Sequence, residues 1–407
     1  MGRRRSRLMV LSLVALSLAG VTGVTGVREK TARAGAEVLS YDVRTAAMGG
    51  AGVSGSRGAA AVVDNPALIL TTDSVDLTLN SFVLNAQTEA PVLGPNQPLN
   101  SSITVPVFFA AGALRLNRKL AVAVGVEPIG AGAPYDLPNG GKLSVIAVQV
   151  SLELSAAYAI TDNLYIGAAW RPSYVKTTIR TPSPTPTDPG AETKLDLSHV
   201  APASGSVGLF CRIDSDTRAG LFYRSRTSTD LTGSAITPGG TFDARSHFAL
   251  PDKFVLGFDR SLFDKRLSVA VQGEVELFGA LDGTQITTVE TPGGPIMQRT
   301  VSNDKTTWGV KVGGELWAIP DRLAVRAGLW FGTEPGREEH ANYFSPYFNY
   351  MFFPTAGIGV KLGRLDLNAV MSWEIRNGAQ VAQTDNGNPG HYAHWAYLPG
   401  VSANARF

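Results

Sequence analysis

The stretch IAVQVSLELSAAY, residues 146–158, alternates apolar side chains with small or polar ones. A period of two places the apolar side chains on one face of a β-strand and the polar side chains on the other. The same period recurs in residues 267–277, 323–329 and 365–376. Several of these stretches exceed the about 5–6 residues of an average soluble strand and approach the roughly 9–11 residues that cross a bilayer. The pattern therefore favours an all-β, transmembrane β-barrel over a soluble β-sandwich.

The connections between the predicted strands alternate between short and long. The six short, polar connections are Asn117–Lys119, Thr161–Asn163, Asp214–Asp216, Leu262–Arg266, Ala318–Arg322 and Gly363–Arg364. The seven long connections are Asn85–Ser102, Ile129–Lys142, Thr181–Pro202, Leu231–Phe248, Asp282–Lys305, Thr333–Asn349 and Asn377–Ala396. Tight turns on one side of a membrane and long loops on the other are typical of outer-membrane barrels. The sequence predicts fourteen antiparallel strands with the long loops outside the cell, in the outer membrane of a Gram-negative bacterium.

The first 34 residues have the features of a signal peptide. Arg3, Arg4, Arg5 and Arg7 precede an apolar core from Leu8 to Val21, and Ala32–Ala34 supplies an A-x-A-like cleavage site. Residues 1–34 contain seven Lys or Arg and one Glu, so their removal changes the net charge from +2 to about −4. A mildly acidic chain is no nucleic-acid binder. The one cysteine, Cys211, cannot form a disulfide within the chain.

Residues 35–73 do not alternate and predict a segment that plugs the barrel, here called the hatch. Small residues dominate it, with glycines at Gly49 and Gly50 that interrupt short helix-compatible runs. Such a segment can pack closely inside a lumen. Asn65-Pro66-Ala67 predicts a turn, because proline fixes its own backbone and asparagine caps the residues after it. The predicted barrel then occupies residues 74–407.

The stretch from Arg44 to Leu68 resembles the hatch of the FadL family, outer-membrane transporters of long-chain fatty acids and aromatic hydrocarbons. The family's hatch carries a glycine-rich run followed by an Asn-Pro-Ala motif, which here is Asn65-Pro66-Ala67. Leu250–Asp252 and the hairpin Asp304–Pro335 are similar to later parts of the family's sequence. The resemblance implies a fourteen-stranded barrel plugged by the hatch. The long loops depart from the family, because they are rich in Pro and Thr rather than apolar and helical.

The resemblance also implies a lateral opening in the barrel wall, formed where the third strand is kinked. The corresponding strand is Leu120–Glu127, and it is followed by Pro128, Gly130 and Gly132. Proline lacks a donor for the ladder and glycine relaxes the backbone, so strand pairing is expected to fail or bulge there. The alternative is that the strand simply enters an outer loop at this point.

Alternation places charged side chains of both signs inside the barrel. They are Arg171, Arg212, Arg224, Lys311, Arg326 and Arg376 against Glu153, Glu274, Glu276, Glu315 and Glu374. The simpler interpretation is a balanced network that holds the hatch. The sharper hypothesis is that Arg224, Lys311 or Arg326 binds a carboxylate on a ligand, because a cation in a dry lumen pairs well with one.

Aromatic residues near the strand ends predict interfacial girdles. They are Trp170, Tyr174, Tyr223, Trp317, Trp330, Phe331, Trp373 and Tyr397. The aromatic run from Tyr343 to Phe353 either lines an apolar capture groove or lies at the headgroup level; the sequence leaves both open.

The sequence predicts a passive transporter that takes up long-chain fatty acids or other hydrophobic compounds. The alternatives are an accessory protein that docks or carries other proteins at the outer membrane, and a porin, which a plug argues against. No nucleophile, metal-ligand or phosphate-loop motif indicates an enzyme, and no cofactor or metal is expected. The expected partners are a hydrophobic small molecule, outer-membrane lipid and the outer-membrane assembly machinery, since the terminal Phe407 resembles that machinery's signal.

Overall fold

The computed structural model describes residues 39–182, 188, 191–385 and 388–407. The predicted signal peptide and residues 35–38 of the predicted hatch lie outside the described residues. Among the described residues, no helix is both long enough and apolar enough to span a membrane.

The described part of the chain after residue 74 consists mainly of β-strands, all of which belong to one antiparallel sheet. They are β1 (Val75–Ala90), β2 (Leu99–Arg115), β3 (Leu120–Asp136), β4 (Lys142–Ala159), β5 (Leu164–Trp170), β6 (Ser173–Pro182), β7 (Glu192–Ala201), β8 (Gly205–Arg212), β9 (Thr217–Arg224), β10 (Thr227–Thr237), β11 (Gly240–Leu250), β12 (Lys253–Leu262), β13 (Leu267–Glu276), β14 (Thr284–Thr291), β15 (Gly294–Val301), β16 (Thr307–Ile319), β17 (Leu323–Thr333), β18 (Tyr350–Leu362), β19 (Leu365–Val381) and β20 (Gly390–Arg406).

These segments form a closed barrel of fourteen wall strands. Eight wall strands are single segments and six are built from two consecutive segments, from the pair β5 and β6 to the pair β15 and β16. The last strand, β20, pairs with β1 and closes the barrel, from Asp76 opposite Arg406 to Glu89 opposite Ala393. This pairing leaves neither the first nor the last strand as a free sheet edge. The predicted strand count and closing pair are confirmed.

The six predicted short turns are confirmed, but most of the predicted long loops are shorter than expected. Six of them are hairpins whose strands continue into the predicted loop, as in β10 and β11, which pair up to Thr237 and Gly240. The prediction of longer loops failed because these stretches are rich in Pro, Gly and Thr, a composition that is typical of loops. Once two strands are paired, continuing the ladder satisfies their backbone groups, and composition alone does not stop it.

The alternation predicted from the sequence separates the two faces of the wall. On β4 the Glu153 side chain points inward and is 1% exposed, whereas its neighbour Leu154 points outward and is 38% exposed. On β12 the outward residues Leu256 and Phe258 are likewise exposed. An apolar outer face suits contact with lipid, and the polar inner face surrounds the hatch.

The hatch is helical in short pieces and fills the lumen. Helix α1 is Val43–Ala46, α2 is Ala61–Asp64, and a 3-10 helix spans Pro66–Thr71. Asp42 caps α1 by accepting a hydrogen bond from the Arg44 amide at 3.1 Å. The predicted plug is confirmed, while its exact boundaries at residues 35 and 73 stay predictions.

Candidate functional site

The Asn65-Pro66-Ala67 motif anchors the hatch to the barrel wall. The Asn65 amide nitrogen donates to the Val53 carbonyl at 2.8 Å and to the Leu209 carbonyl of β8 at 3.0 Å. The Asn65 amide oxygen accepts from the Ala67 backbone amide at 3.0 Å. Wall glycines make this approach possible, because a Cβ on Gly208 would overlap the Asn65 side chain.

Gly49, which is followed by Gly50, forms the second contact of the hatch with the wall. Both have positive φ angles, 68° and 80°, which favour glycine. The Gly49 amide donates to the Thr355 hydroxyl at 3.1 Å, and this hydroxyl donates to the Ala47 carbonyl at 3.1 Å. A side chain on Gly328 of β17 would overlap the Gly49 backbone. Gly49 therefore lies at a backbone-to-backbone contact with the wall, whereas Gly50 lies against the Leu39 carbonyl within the hatch.

An ionic group joins the hatch to the wall on the short-turn side. Glu315, which is fully buried, binds Arg44 of the hatch at 2.8 Å and Arg326 of β17 at 2.7 Å. Arg326 also donates to the Asn368 side chain at 2.9 Å. Arg326, which was predicted to bind the carboxylate of a transported ligand, thus binds a carboxylate of the protein itself.

A second ionic group lies deeper in the lumen. Lys311 contacts Glu274 at 3.0 Å, and its ammonium lies 4.6 Å from the centre of the Trp330 ring. Lys253 contacts both Glu274 and Glu276. Arg224 is buried and lines the same small cavity as Lys311 and Glu274. Lys311 and Arg224, the other two residues predicted to bind a ligand carboxylate, are therefore close together inside the barrel.

The sequence analysis placed Arg171, Glu153, Arg376 and Glu374 inside the barrel but missed their partners Glu127 and Glu334. Arg171 binds both Glu153 and Glu127, and Arg376 binds both Glu374 and Glu334. Glu127 lies directly before Pro128, and alternation along β3 would have placed it inside. Arg212 was also predicted to lie inside the barrel, but its side chain is exposed near the short turns.

The lumen on the long-loop side of the hatch is apolar and aromatic. The loop after β17 folds inward, so that Phe348 is buried and Tyr135 donates to the Tyr343 carbonyl at 3.2 Å. Phe353 stacks on Trp330 with ring centres 5.0 Å apart. Trp330 is thus a lumen residue, and its assignment to an outer girdle was wrong, since it lies one position off the outward register of β17. We call these residues, together with the neighbouring Leu39, Phe82, Ile103 and Tyr392, the upper apolar cluster.

The wall is interrupted between β2 and β3. These strands share six ladder pairs, from Ala110 opposite Val126 to Arg115 opposite Ala121, whereas β3 and β4 share seventeen. Leu99–Phe109 and Glu127–Asp136 are not paired with each other in the described ladder. We call this interruption the wall gap. After Val126, β3 has no partner on β2 in the described ladder, while Pro128, Gly130 and Gly132 stay paired with β4. Their role in a lateral opening stays a prediction.

Prolines on both strands explain why the ladder stops. Pro106 lies on β2, and Pro128 and Pro134 lie on β3, and none of them has an N–H to donate. A proline by itself has a smaller effect elsewhere in the wall: at Pro354 the β18–β19 ladder omits two residues and then resumes. At the wall gap, by contrast, the β2–β3 ladder does not resume. The first β3 residues along the gap include Pro128 and Gly130, which pair on their other side with Val150 and Val148 of the outward apolar face of β4.

The hatch separates cavities of different character. A cavity of about 870 Å³ opens on the short-turn side and is lined largely by charged residues, among them Arg57, Arg218 and Asp366. On the other side of the hatch, small cavities of about 50 and 70 Å³ lie against Lys311 and the upper apolar cluster.

Comparisons with known proteins agree with this architecture. A family model described as outer membrane protein transport protein (OMPP1/FadL/TodX) matches residues 29–407. No curated protein sequence matches the chain.

Three solved structures share the fold. A Pseudomonas aeruginosa FadL homologue is 15% identical, with a TM-score of 0.78 over 92% of this chain and 100% of the homologue. The Ralstonia pickettii toluene transporter TbuX is 17% identical, with a TM-score of 0.72 over 91% of this chain and 99% of TbuX. The P. putida toluene transporter TodX is 16% identical, with a TM-score of 0.71 over the same shares. At these identities the likeness shows the fold alone. Because the family model spans nearly the whole sequence, the chain belongs to the FadL/TodX family of outer-membrane transport proteins of Gram-negative bacteria, as its hatch predicted.

Proposed function

We propose that the protein takes up long-chain fatty acids or other hydrophobic compounds passively, without a cofactor, and releases them sideways into the outer membrane. The observation that carries this proposal is the wall gap, whose two sides are apolar toward the lumen. Ile103 on β2 and Ile129 and Tyr135 on β3 are buried there. Ile103 and Tyr135 belong to the upper apolar cluster, so apolar surface is continuous from the lumen to the gap.

A lateral route avoids the free-energy cost of exposing a hydrophobic ligand to water. Re-exposing apolar surface to water costs roughly 25 cal/mol per Å². The other way out of the lumen leads through the charged cavity on the short-turn side, where Arg44, Arg57 and Arg326 surround Glu315. For a hydrophobic ligand, entering lipid through the wall gap therefore costs less free energy than leaving through the charged cavity.

Recognition of a ligand carboxylate by Arg224, Lys311 or Arg326 remains part of the proposal for fatty acids. Lys311 and Arg326 have carboxylate partners already, so an incoming carboxylate competes with Glu274 and Glu315. An uncharged hydrocarbon does not face this competition, because it is held by apolar contacts.

The test is uptake by cells lacking the protein and by the same cells carrying it, measured with labelled palmitate and with labelled hexadecane. The proposal expects faster uptake of at least one compound when the protein is present. Ala substitutions of Arg224, Lys311 and Arg326 should slow palmitate more than hexadecane, and equal effects on both would argue against carboxylate recognition. Unchanged uptake of both compounds, with loss of a surface-displayed protein in the deletion strain, would instead support the accessory role.

A further inference from the structure

Tyr41 of the hatch lies at the closed end of the wall gap and contacts both of its sides. Its side chain is buried, and its ring stacks on Phe109 of β2 with ring centres 5.4 Å apart. Its hydroxyl donates to the carbonyl of Pro128 on β3. Its own carbonyl accepts a hydrogen bond from the Asn80 side chain of β1. One hatch residue thus joins three consecutive wall strands at the point where the β2–β3 ladder ends.

These contacts stand in for the missing ladder. Phe109 directly precedes the last paired residue of β2, Ala110, and Pro128 lies just beyond Val126, its partner in the β3 ladder. The partly buried Pro128 carbonyl belongs to a stretch without a β2 partner, and a carbonyl shielded from water without a donor is unfavourable. The Tyr41 hydroxyl supplies the donor.

Tyr41 also borders the inside of the barrel. Together with Leu39, Glu127 and Lys311 it lines the cavity of about 50 Å³ beside the hatch. The tyrosine ring therefore stands between this lumenal cavity and the wall gap. Its hydrogen bond to the Pro128 carbonyl and its stacking on the Phe109 ring join uncharged groups, so these contacts can break and form again without separating ions.

We propose that Tyr41 is the latch of the wall gap: it closes the passage from the lumenal cavity, and a ligand leaves when Tyr41 releases Phe109 and Pro128. This inference rests on the proposed function and adds the residue that controls the exit. Tyr41 acts as a positioning residue, because it governs access rather than binding the ligand.

The first test compares Tyr41→Phe with a matched control. Tyr165→Phe removes the same group from another buried lumenal tyrosine, whose hydroxyl donates to the Asp162 carbonyl at 3.2 Å and whose ring lies 5.5 Å from Phe210. Loss of one neutral hydrogen bond from the closed state should raise the initial uptake rate about 2- to 10-fold in Tyr41→Phe. Tyr165→Phe should equal the wild type. A gain in rate separates a released latch from a damaged barrel, which loses rate.

A second variant tests the latch without relying on the hydroxyl. Tyr41→Cys and Phe109→Cys are combined in a Cys211→Ser background and joined by a linker that a reductant cleaves. Uptake should be slow when linked and fast after reduction, with heat-modifiable migration on gels showing a folded barrel in both states. If the wild type transports neither palmitate nor hexadecane, the proposed function fails and the latch with it. If the wild type transports but Tyr41→Phe matches it and linking changes nothing, the latch alone is wrong.

Discussion

Asn65 joins the hatch to the wall through one side-chain amide. The sequence predicts a turn and a cap at this position, and the hydrogen bond from the Ala67 amide confirms that local part. The bond to Leu209 connects positions 144 residues apart, and no local pattern predicts it. The same residue therefore has a local role that the sequence reveals and a distant one that it does not.

At the residue scale, Asn65→Ala should loosen the hatch without unfolding the barrel. It leaves the buried carbonyls of Val53 and Leu209 without these donors, at a cost of about 1–3 kcal/mol. Hydrogen exchange of the amides in residues 43–71 should become roughly 5- to 100-fold faster.

The control is Asn117→Ala, because Asn117 accepts only within its own exposed turn, from the amides of Lys119 and Leu120 at 2.7 and 3.0 Å. Hatch exchange in this variant should match the wild type. Equal exchange in all three proteins would show that the motif does not anchor the hatch.

At the element scale, β3 shows where composition misled the prediction. Its residues 129–136 read as the start of a loop, yet they form a regular strand with β4. The prolines that suggested a loop remove donors from one side of the strand only. A strand can therefore continue while one of its two ladders ends.

Restoring the missing donors should close the wall gap. Replacing Pro106 and Pro134 with Thr and Pro128 with Val allows new ladder hydrogen bonds, each of which contributes about 0.5–1.5 kcal/mol. Uptake should fall by roughly tenfold or more, while amides in β2 and β3 exchange more slowly.

Pro354→Val is the matched control, because Pro354 interrupts a ladder elsewhere in the wall. Its uptake should equal that of the wild type. If the triple variant shows slowed exchange in β2 and β3 but normal uptake, the ligand does not leave through the wall gap.

At the scale of the whole molecule, the hatch sets the kind of transport. Polar groups line the inside of the barrel, and a barrel of fourteen strands without a plug would conduct ions. The hatch fills the lumen and separates the charged cavity on the short-turn side from the upper apolar cluster on the long-loop side.

The intact protein should accordingly show no large steady current in planar lipid bilayers. A variant lacking residues 43–71 should conduct steadily, because the ionic inner wall then surrounds water. A large steady current through the intact protein would make it a porin and overturn the proposed transport of hydrophobic ligands.

Features that depend on neighbouring residues could be predicted from the sequence. Period-two alternation defined the strands and the inward faces of Glu153 and Arg326, and the short turns set the strand count. The small residues around Gly49 and Asn65 marked the hatch. Each of these follows from side-chain direction and backbone preference within a few positions.

The contacts between distant groups became visible only in the folded barrel. Arg44 and Glu315 are 271 positions apart, and Tyr41 reaches Phe109 and Pro128 from another part of the chain. Such contacts depend on barrel closure and on how the hatch lies inside it. A single large aromatic in a segment of small residues was the one local sign of Tyr41, and its meaning needed the wall gap beside it.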